Sequence, residues 1–423
     1  MKIIVQKYGG SSVATIEKLR KVARRVVESK RLGHAVVVVV SAMGDSTDEL
    51  VELACQLSAN PSGRELDALL ATGEMVSMSL LAIAIQESGE NAIALNGLQC
   101  GIFTNDVHCN ARILEVRPAR VRKHLERGEI VVVAGFQGFT SSGDLTTLGR
   151  GGSDTTAVVL AAALEAEQCE IYTDVAGVFT ADPRVVPQAR YLKELGAAEM
   201  QELAWTGARV LKGEAVELAG TNGVSMVVRS TFEKGHDTWV RPHPESEQPF
   251  RPRRTGVAGI SGRQDVVRIT YSPAEFARDC GDAIFDLIAG YGLIFGATGS
   301  FNEPVDILIS NLEIPDPAAF TRYLHEQFGN AITVADQLGM VSLVGAGLGT
   351  RPASFLDAFR VLRQAQIPVV KSFSTQASLC FVVPASRVHA GVVLMHEVFV
   401  EGSRSKNILS AVCEKKDQEE ETA

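Results

Sequence analysis

Residues able to bind an anion are densest in Thr147-Leu-Gly-Arg-Gly-Gly-Ser-Asp-Thr-Thr-Ala157, a glycine-rich turn that runs into an apolar helical pattern. The three glycines let the backbone pass close to a ligand and take positive φ. Ser153 or Asp154 is expected to cap the helix, whose free N–H groups then favour an anion. Arg150 adds a planar fork suited to a carboxylate or a phosphate. The stretch predicts an anion site, with an ordinary capped turn as the alternative.

Two further positions carry charge beside glycine. Lys7 ends a short apolar strand and opens Lys7-Tyr-Gly-Gly-Ser-Ser12, where an ammonium and glycine amides suit phosphate oxygens. The alternative is a surface lysine before a tight turn. Glu74 follows Gly73 inside an apolar helical stretch, so it is either a solvated helix residue or an acceptor for a substrate ammonium. The residues alone leave both choices open.

Apolar runs typical of strands alternate with helical patterns through the first half of the chain, which predicts an α/β fold with a largely parallel sheet and helices on both faces. The predicted strands are Ile3–Gln6, Ala35–Val40, Ala92–Leu95, Ile130–Ala134, Glu170–Asp174 and Val224–Arg229. A long helical pattern runs from Arg64 to Gln86. Polar loops follow the strands, at the edge where such sheets bind ligands. We therefore expect residues 7–12, 41–47, 135–138, 147–154 and 173–174 to share one cleft.

The second half has a different pattern. Residues 241–256 are rich in proline and charge and are predicted to be a linker. Two β-α-β-β-α runs follow, which predict two ferredoxin-like units at residues 257–335 and 336–402. The expected domains are therefore an α/β domain at 1–240, the linker, these two units, and a charged tail at 403–423 that is predicted to be disordered.

Composition excludes several classes of protein. The chain has 423 residues and a net charge of −9, which argues against non-specific binding of nucleic acid. The sequence shows no apolar run of membrane-spanning length and no secretory signal, so no membrane partner is expected. Seven scattered cysteines without a C-x-x-C pair indicate a reduced, cytoplasmic location and no zinc site. A P-loop NTPase is excluded because its motif does not occur.

Six motifs together resemble the aspartokinase family. They are Lys7-Tyr-Gly-Gly-Ser-Ser-Val13, Val40-Ser-Ala-Met-Gly44 with Thr47, Thr72-Gly-Glu74, Gly135-Phe-Gln-Gly138, Thr147–Asp154 and Tyr172–Arg184. The resemblance implies an amino-acid kinase fold followed by two ferredoxin-like ACT domains. It also implies an ATP-dependent phosphotransferase that converts L-aspartate into 4-phospho-L-aspartate, the first step towards lysine, threonine and methionine.

The resemblance also implies roles for individual residues. The implied catalytic residues are Lys7, Asp154 and Arg150. The implied aspartate-binding residues are Ser41, Thr47, Glu74, Arg150 and Ser153. The implied ATP-binding residues are Lys7, Tyr8, Gly9, Gly10, Ser11, Thr173, Asp174, Phe179, Asp182, Arg184 and Arg209. Mg²⁺ is expected to arrive with ATP rather than on protein ligands. A homo-oligomer formed through the ACT domains, with lysine or threonine as effector, is also implied.

The sequence departs from the family pattern at several points. Gly207-Ala-Arg-Val-Leu-Lys-Gly213 stands where relatives have Gly-Ala-Lys-Val-Leu-His-Pro, which makes the ATP contact of Arg209 uncertain. The effector turns read Tyr271-Ser-Pro-Ala-Glu-Phe276 and Gly347-Leu-Gly-Thr-Arg-Pro-Ala353, without the usual glycine, so feedback inhibition is expected to be weakened or altered. A kinase of another amino dicarboxylate and a non-catalytic amino-acid sensor remain the alternatives.

Overall fold

The computed structural model describes residues 2–58, 61–208, 210–233, 235–242, 256–271, 294–298, 305–314 and 317–402. The chain divides into two compact units. Unit 1 comprises residues 1–178, 191–204 and 209–249, and unit 2 comprises residues 179–190, 205–208 and 250–423. The predicted helix at 273–289, most of the linker and the tail lie outside the described residues.

The N-terminal half alternates strands and helices, as predicted. Its strands are β1 (Ile3–Tyr8), β2 (Ala35–Val40), β3 (Ala92–Leu95), β4 (Ile102–Thr104), β5 (Ile113–Val116), β6 (Ile130–Ala134), β7 (Gln137–Phe139), β8 (Leu145–Thr147), β9 (Gln168–Thr173), β10 (Val178–Phe179), β11 (Tyr191–Leu192), β12 (Glu194–Gly196), β13 (Met226–Ser230) and β14 (Thr238–Arg241). Its helices are α1 (Gly10–Val13), α2 (Ile16–Arg31), α3 (Ser46–Leu57), α4 (Gly63–Leu70), α5 (Thr72–Glu87), α6 (Gly97–Cys100), α7 (Ala119–Glu126), α8 (Gly152–Leu164), α9 (Ala197–Thr206) and α10 (Gly213–Thr221).

The main sheet of unit 1 has eight strands in the order β12-β14-β13-β9-β1-β2-β6-β3. The six strands from β13 to β3 are parallel, and β14 runs antiparallel to β13. Apolar side chains from β1, β2 and β6 pack with α2 and α5 on one face, while α8 packs on β1, β2 and β9, and α10 packs on α8. Because both faces are covered, β2 consists of valines and an alanine that are all buried. The predicted parallel sheet is confirmed.

The predicted long helix is two helices, α4 and α5, that meet at Ala71. The Ala71 carbonyl accepts a hydrogen bond from the Gln137 side chain at 3.2 Å, which ties the break to β7. Residues 63–87 are long and apolar enough to cross a membrane by length and composition. Half of the apolar 18-residue stretch within them is, however, buried inside the protein. Met78, Leu81 and Ile85 pack into the core, as expected of a core helix.

A smaller sheet of unit 1, in the order β5-β4-β7-β8, carries the start of the glycine-rich turn. In this sheet β7 and β8 are antiparallel, and Gln137 pairs with Thr147. Since β8 ends at Thr147, this sheet determines where the turn begins.

Unit 2 contains one six-stranded sheet in the order β16-β17-β15-β18-β20-β19. Its strands are β15 (Gly259–Tyr271), β16 (Ile294–Thr298), β17 (Val305–Ser310), β18 (Ile332–Val344), β19 (Lys371–Ser374) and β20 (Ser378–Pro384). Its α-helices in the described part of the chain are α11 (Pro317–Phe328), α12 (Pro352–Gln364) and α13 (Val388–His396), and a π turn at Glu397–Glu401 extends α13. Short 3-10 helices lie at Asn311–Glu313, Gly329–Ala331, Leu348–Thr350 and Ala385–Arg387.

The two long strands β15 and β18 each serve both halves of this sheet. Residues 259–263 pair with 340–344, whereas residues 266–271 pair with 332–338 on one side and with 305–310 on the other. The first part of β15 therefore belongs beside β18 and β20, in the half that the sequence assigns to residues 336–402. The repeat pattern of the sequence does not indicate that the first part of β15 pairs with the end of β18.

Residues 179–190 also depart from a contiguous division of the chain. Ala181 and Val186 are buried in a core of unit 2 that includes Val257, Ile260 and Leu348. This stretch is thus held by apolar contacts to residues that lie well after it in sequence.

Candidate active site

The loops predicted to share one cleft meet at the carboxyl ends of β1, β2, β6 and β9. The Ser41 amide donates to the Tyr8 carbonyl at 3.1 Å, the Gly135 amide to the Val40 carbonyl at 3.0 Å, and the Gly9 amide to the Tyr172 carbonyl at 3.3 Å. These backbone bonds link successive strand ends across the sheet. The prediction that the loops lie together at this edge is confirmed for these residues.

Lys7 and Asp154 form an ion pair at this edge. The Lys7 Nζ lies 2.6 Å from an Asp154 carboxylate oxygen, and the two side chains are only 13% and 8% exposed. The Lys212 amide donates to the other Asp154 oxygen at 3.3 Å. A lysine held by a carboxylate at the carboxyl end of a central strand is a fixed positive charge, suited to phosphate oxygens.

The glycine-rich turn starts α8 in a different way from the one predicted. Gly151, at φ 74°, occupies the capping position, and no side chain caps the helix. Ser153 and Asp154 instead lie in the first turn, and the Asp154 amide bonds the Gly151 carbonyl at 3.0 Å. The prediction of a Ser153 or Asp154 cap is wrong, because a left-handed glycine begins the helix. The Asp154 carboxylate is consequently free to hold Lys7.

Ser153 is fixed against the end of β6. A Cβ added to Gly135 would lie 2.7 Å from the Ser153 Oγ, so only glycine allows this approach. The next residue, Phe136, has φ 68°, and its amide donates to the Thr156 Oγ1 at 3.1 Å. The loop after β6 therefore positions the first turn of α8.

Glu74 is a buried carboxylate rather than a solvated helix residue. It is 3% exposed, and its Oε1 accepts a hydrogen bond from the Ala42 amide at 3.0 Å. Its Oε2 is buried and finds no hydrogen-bond partner among the described residues. Burial raises the pKa of Glu74 to about 7. A buried oxygen without a partner can receive an ammonium group.

The other predicted aspartate ligands are more accessible. Arg150 is 71% exposed and pairs with the exposed Asp48 at 3.3 Å. A solvated ion pair of this kind contributes little to the free energy of folding, so Arg150 can exchange Asp48 for a ligand. Thr47 lies in the first turn of α3, and Ser41 is half-buried after β2.

The loop after β1 presents mainly backbone groups, rather than side chains, to the edge of the sheet. Tyr8 is fully buried and stacks on Tyr172 at 4.5 Å, so only its backbone reaches the cleft edge. A Cβ on Gly10 would lie 3.0 Å from the carbonyl oxygens of Ala42 and Gly44, which brings this loop against the loop after β2. Ser11 is exposed.

The predicted nucleotide-binding stretch is divided between the two units. Thr173 ends β9 in unit 1, and its hydroxyl donates to Asp174 at 3.0 Å. Phe179, Asp182 and Arg184 are part of unit 2, where the Arg184 guanidinium lies 2.7 Å from Asp182. Arg209 lies outside the described residues. The ATP-binding roles of all these residues remain predictions.

Lys212 is a site residue that the sequence reasoning did not select. Besides its amide bond to Asp154, its Nζ lies 2.7 Å from Glu214 and donates to the Leu148 carbonyl at 3.3 Å. A Cβ on Gly151 would lie 3.0 Å from its side chain. The only signal in the sequence was that Lys212 departs from the histidine of the family pattern.

No group of three or more His, Cys, Asp or Glu residues within the described ranges is arranged to hold a metal ion. The assignment of Mg²⁺ to the nucleotide rather than to protein ligands remains a prediction.

Comparison with known proteins agrees with the motifs. The amino acid kinase family matches residues 2–230. Aspartokinase of Geobacillus stearothermophilus is 43% identical over 404 residues, covering 94% of this chain and 97% of that protein. Aspartokinase 2 of Bacillus subtilis (strain 168) is 41% identical over 417 residues, covering 94% and 98%.

A solved structure has the same fold. E. coli aspartokinase III in complex with aspartate and ADP has a TM-score of 0.78 at 24% identity, and the match covers 93% of this chain and 99% of that one. The chain belongs to the amino acid kinase family and, within it, to the aspartokinases, the ATP-dependent kinases of aspartate.

Proposed function

We propose that the chain transfers the γ-phosphoryl group of ATP to the β-carboxylate of L-aspartate at the site around Lys7 and Asp154. The observation that carries this proposal is the nearly buried Lys7–Asp154 pair, held between the end of a central strand and the first turn of α8. Aspartokinases that are 41–43% identical over nearly the whole chain support the choice of substrate.

The chemistry needs little acid–base catalysis. A β-carboxylate is ionised at pH 7, since its ordinary pKa is about 4, so the nucleophile needs no strong general base. Catalysis then consists of positioning the two reactants and neutralising charge on the transferring group. MgATP, when bound, supplies the phosphoryl group and the metal's compensating charge. Lys7 neutralises developing charge, and Asp154 keeps the Lys7 ammonium aimed at that point.

The aspartate would be held by the groups around it. The buried Glu74 Oε2 accepts the substrate ammonium, an interaction that also removes an unpaired buried oxygen. Arg150 leaves Asp48 to bind a substrate carboxylate, while Ser153, Ser41 and Thr47 donate hydrogen bonds. This set of one acidic and several donor groups fits an α-amino dicarboxylate.

A coupled assay of ADP release tests the proposal. We expect turnover with L-aspartate and much slower turnover with L-glutamate and close analogues. Preferred turnover of another dicarboxylate would assign the site to a different amino-acid kinase. A complete lack of turnover with every dicarboxylate would indicate a non-catalytic sensor.

For regulation, we propose that the chain forms a homo-oligomer through the ferredoxin-like units of unit 2 and responds weakly or unusually to lysine or threonine. A lysine-bound structure of E. coli aspartokinase III shows that this related fold can take such an effector. In the turn after β18 of this chain, α12 starts at Pro352 and alanine follows where the family has glycine. We also propose a cytoplasmic location.

Initial rates with lysine and threonine, alone and together, test the regulatory proposal. We expect weak inhibition by each effector. Strong inhibition at sub-millimolar effector would contradict it. Light scattering with and without effector reports the oligomeric state in the same samples.

A further inference from the structure

A buried carboxylate that the phosphoryl-transfer chemistry does not use lies in α4. Asp67 is fully buried. Its Oδ1 accepts a hydrogen bond from the Thr147 hydroxyl at 2.5 Å, and its Oδ2 lies 2.7 Å from the His108 Nδ1. The Cys109 amide donates to both oxygens, at 3.0 and 3.1 Å. A buried carboxylate with this many donors is a strong anchor, because hydrogen bonds to a charged group are about twice as strong as neutral ones.

What Asp67 anchors is the beginning of the glycine-rich turn. Thr147 is the last residue of β8, and its carbonyl accepts the Ala111 amide at 2.8 Å. The loop at 108–111 is thereby bonded to Thr147 directly and through Asp67. A Cβ on Gly149 would lie 2.9 Å from the Asn110 Oδ1, so the turn packs closely on this loop.

The loop bonded to Asp67 has an uncommon backbone. Cys109 has φ 66°, in the left-handed region that a non-glycine residue rarely adopts. This conformation points its amide at the Asp67 carboxylate. Such strain persists only where surrounding contacts over-determine it, and here those contacts lead to the start of the turn.

The same cluster is connected to Glu74. Asp67 lies in α4, and its backbone carbonyl accepts the Ala71 amide at 3.1 Å, just before α5 carries Glu74 into the site. Gln137, which pairs with Thr147 across the small sheet, donates to the Ala71 carbonyl. These bonds connect the turn that carries Arg150 and Ser153 with the start of the helix that carries Glu74.

We propose that Asp67 is a positioning residue for aspartate binding. By clamping Thr147 and the 108–111 loop, it sets the distance between the carboxylate-binding turn and the ammonium-binding Glu74. This inference rests on the proposed function, because it assigns those two groups to the two ends of one substrate.

The test removes one hydrogen bond at a time. Thr147→Val deletes the donor to Asp67 at nearly constant volume, and Thr147→Ser retains a hydroxyl. Thr146→Val is the matched control. It deletes another buried hydroxyl on the neighbouring residue, whose partner is Thr104 at 2.6 Å, without touching Asp67. Asp67→Asn is a fourth variant, and thermal melting shows whether each variant folds.

We expect Thr147→Val to raise the KM for aspartate about tenfold, with the KM for ATP within about twofold of wild type. Thr147→Ser should have the wild-type KM for aspartate. Thr146→Val should lower the melting temperature without raising the KM for aspartate relative to the KM for ATP. An unchanged aspartate KM in Thr147→Val, an equal rise in both KM values, or the same effect in Thr146→Val would overturn the proposal.

The wild-type rate separates this inference from the proposed function. If the wild type phosphorylates another dicarboxylate instead of aspartate, the proposed substrate is wrong, and the same comparison of KM values is made with that dicarboxylate. If Asp67→Asn does not fold, the two Thr147 variants still decide the question.

Discussion

Burial determines what the ionisable side chains of unit 1 can do. Lys7 and Asp154 are both nearly buried, so their attraction is poorly screened and their geometry is fixed. Glu74 is buried, one of its oxygens accepts a hydrogen bond from the Ala42 amide, and the other has no hydrogen-bond partner among the described residues. Arg150 is exposed to water and pairs with the surface carboxylate of Asp48. Lys7, Asp154 and Glu74 are thus held by buried contacts, whereas Arg150 is held only by a surface ion pair.

Lys7→Met should lower kcat by at least about a thousandfold while the KM values for aspartate and ATP change less than about fivefold. The reason is that the Lys7 charge acts mainly on the phosphoryl group in transit. Steady-state kinetics measure both parameters. Lys123→Met, which removes an exposed lysine from the last turn of α7, is the control and should keep the wild-type rate. Near-normal turnover of Lys7→Met would remove this residue from the mechanism.

Glu74→Gln should change how stability depends on pH. A carboxyl whose pKa rises from 4.5 to about 7 on folding keeps an extra proton in the folded state between those values. Stability is therefore unaffected by this group below pH 4.5 and falls as pH rises from 4.5 to about 7, by an amount on the order of 3 kcal/mol in all. The glutamine variant does not pay this ionisation cost. Its urea midpoint should exceed that of wild type more at pH 8 than at pH 5, and an equal difference at both would contradict the prediction.

The same titration should appear in substrate binding. Only ionised Glu74 attracts an ammonium, so the KM for aspartate should fall about tenfold per unit as pH rises towards 7 and level off above it. Glu74→Gln should bind aspartate weakly at every pH. A pH-independent KM in the wild-type enzyme would mean that the ammonium binds elsewhere.

At the scale of elements, close backbone approaches set the geometry of the site. Gly151 starts α8 in a left-handed conformation, and Gly135 lets the end of β6 contact Ser153. Gly10 brings the loop after β1 against the loop after β2. Each glycine therefore controls the distance between two elements that carry ligand-binding groups.

Gly135→Ala should displace Ser153, since the new Cβ would lie 2.7 Å from its Oγ and 3.0 Å from the Val40 carbonyl. A shift of about 1 Å in a binding group can cost up to about a hundredfold in rate, so kcat/KM for aspartate should fall by ten- to a hundredfold. Gly196→Ala is the matched control, because a Cβ there meets nothing within 4 Å. Equal effects of the two substitutions would show that displacement of Ser153 does not matter.

At the scale of the whole molecule, the two units are not consecutive in sequence. Residues 179–190 belong to unit 2, where Ala181 and Val186 share a core with residues after 256. Within unit 2, β15 and β18 each pair in both halves of the sheet. A single cut in the linker therefore cannot separate two complete domains.

A fragment of residues 1–242 should not form a stable kinase, because residues 179–190 lose the apolar partners that bury them. We expect no cooperative thermal transition and no detectable phosphorylation of aspartate. A chain ending at Gly402 keeps every described element and should melt and react like the full chain. A folded, active 1–242 fragment would contradict the prediction.

The sequence by itself determined the local features. Valine-rich runs such as Ala35–Val40 are typical of strands buried on both faces, and polar loops after such strands predict a cleft at their carboxyl ends. The motifs around Lys7, Glu74 and Thr147–Asp154 predicted the family, which the relatives confirm. These features depend on neighbouring residues, so they can be read along the chain.

The tertiary structure decided whatever depends on residues far apart in sequence. Whether Glu74 is solvated or buried depends on the Ala42 amide, whose hydrogen bond it accepts, and on the packing of α5 against the main sheet of unit 1. The role of Asp67 depends on Thr147, which lies eighty residues further along, as the hydrogen bond between them shows. The placement of 179–190 depends on a core completed after residue 256. No local pattern encodes these contacts, because burial and hydrogen-bond partners are set by the packing of the whole chain.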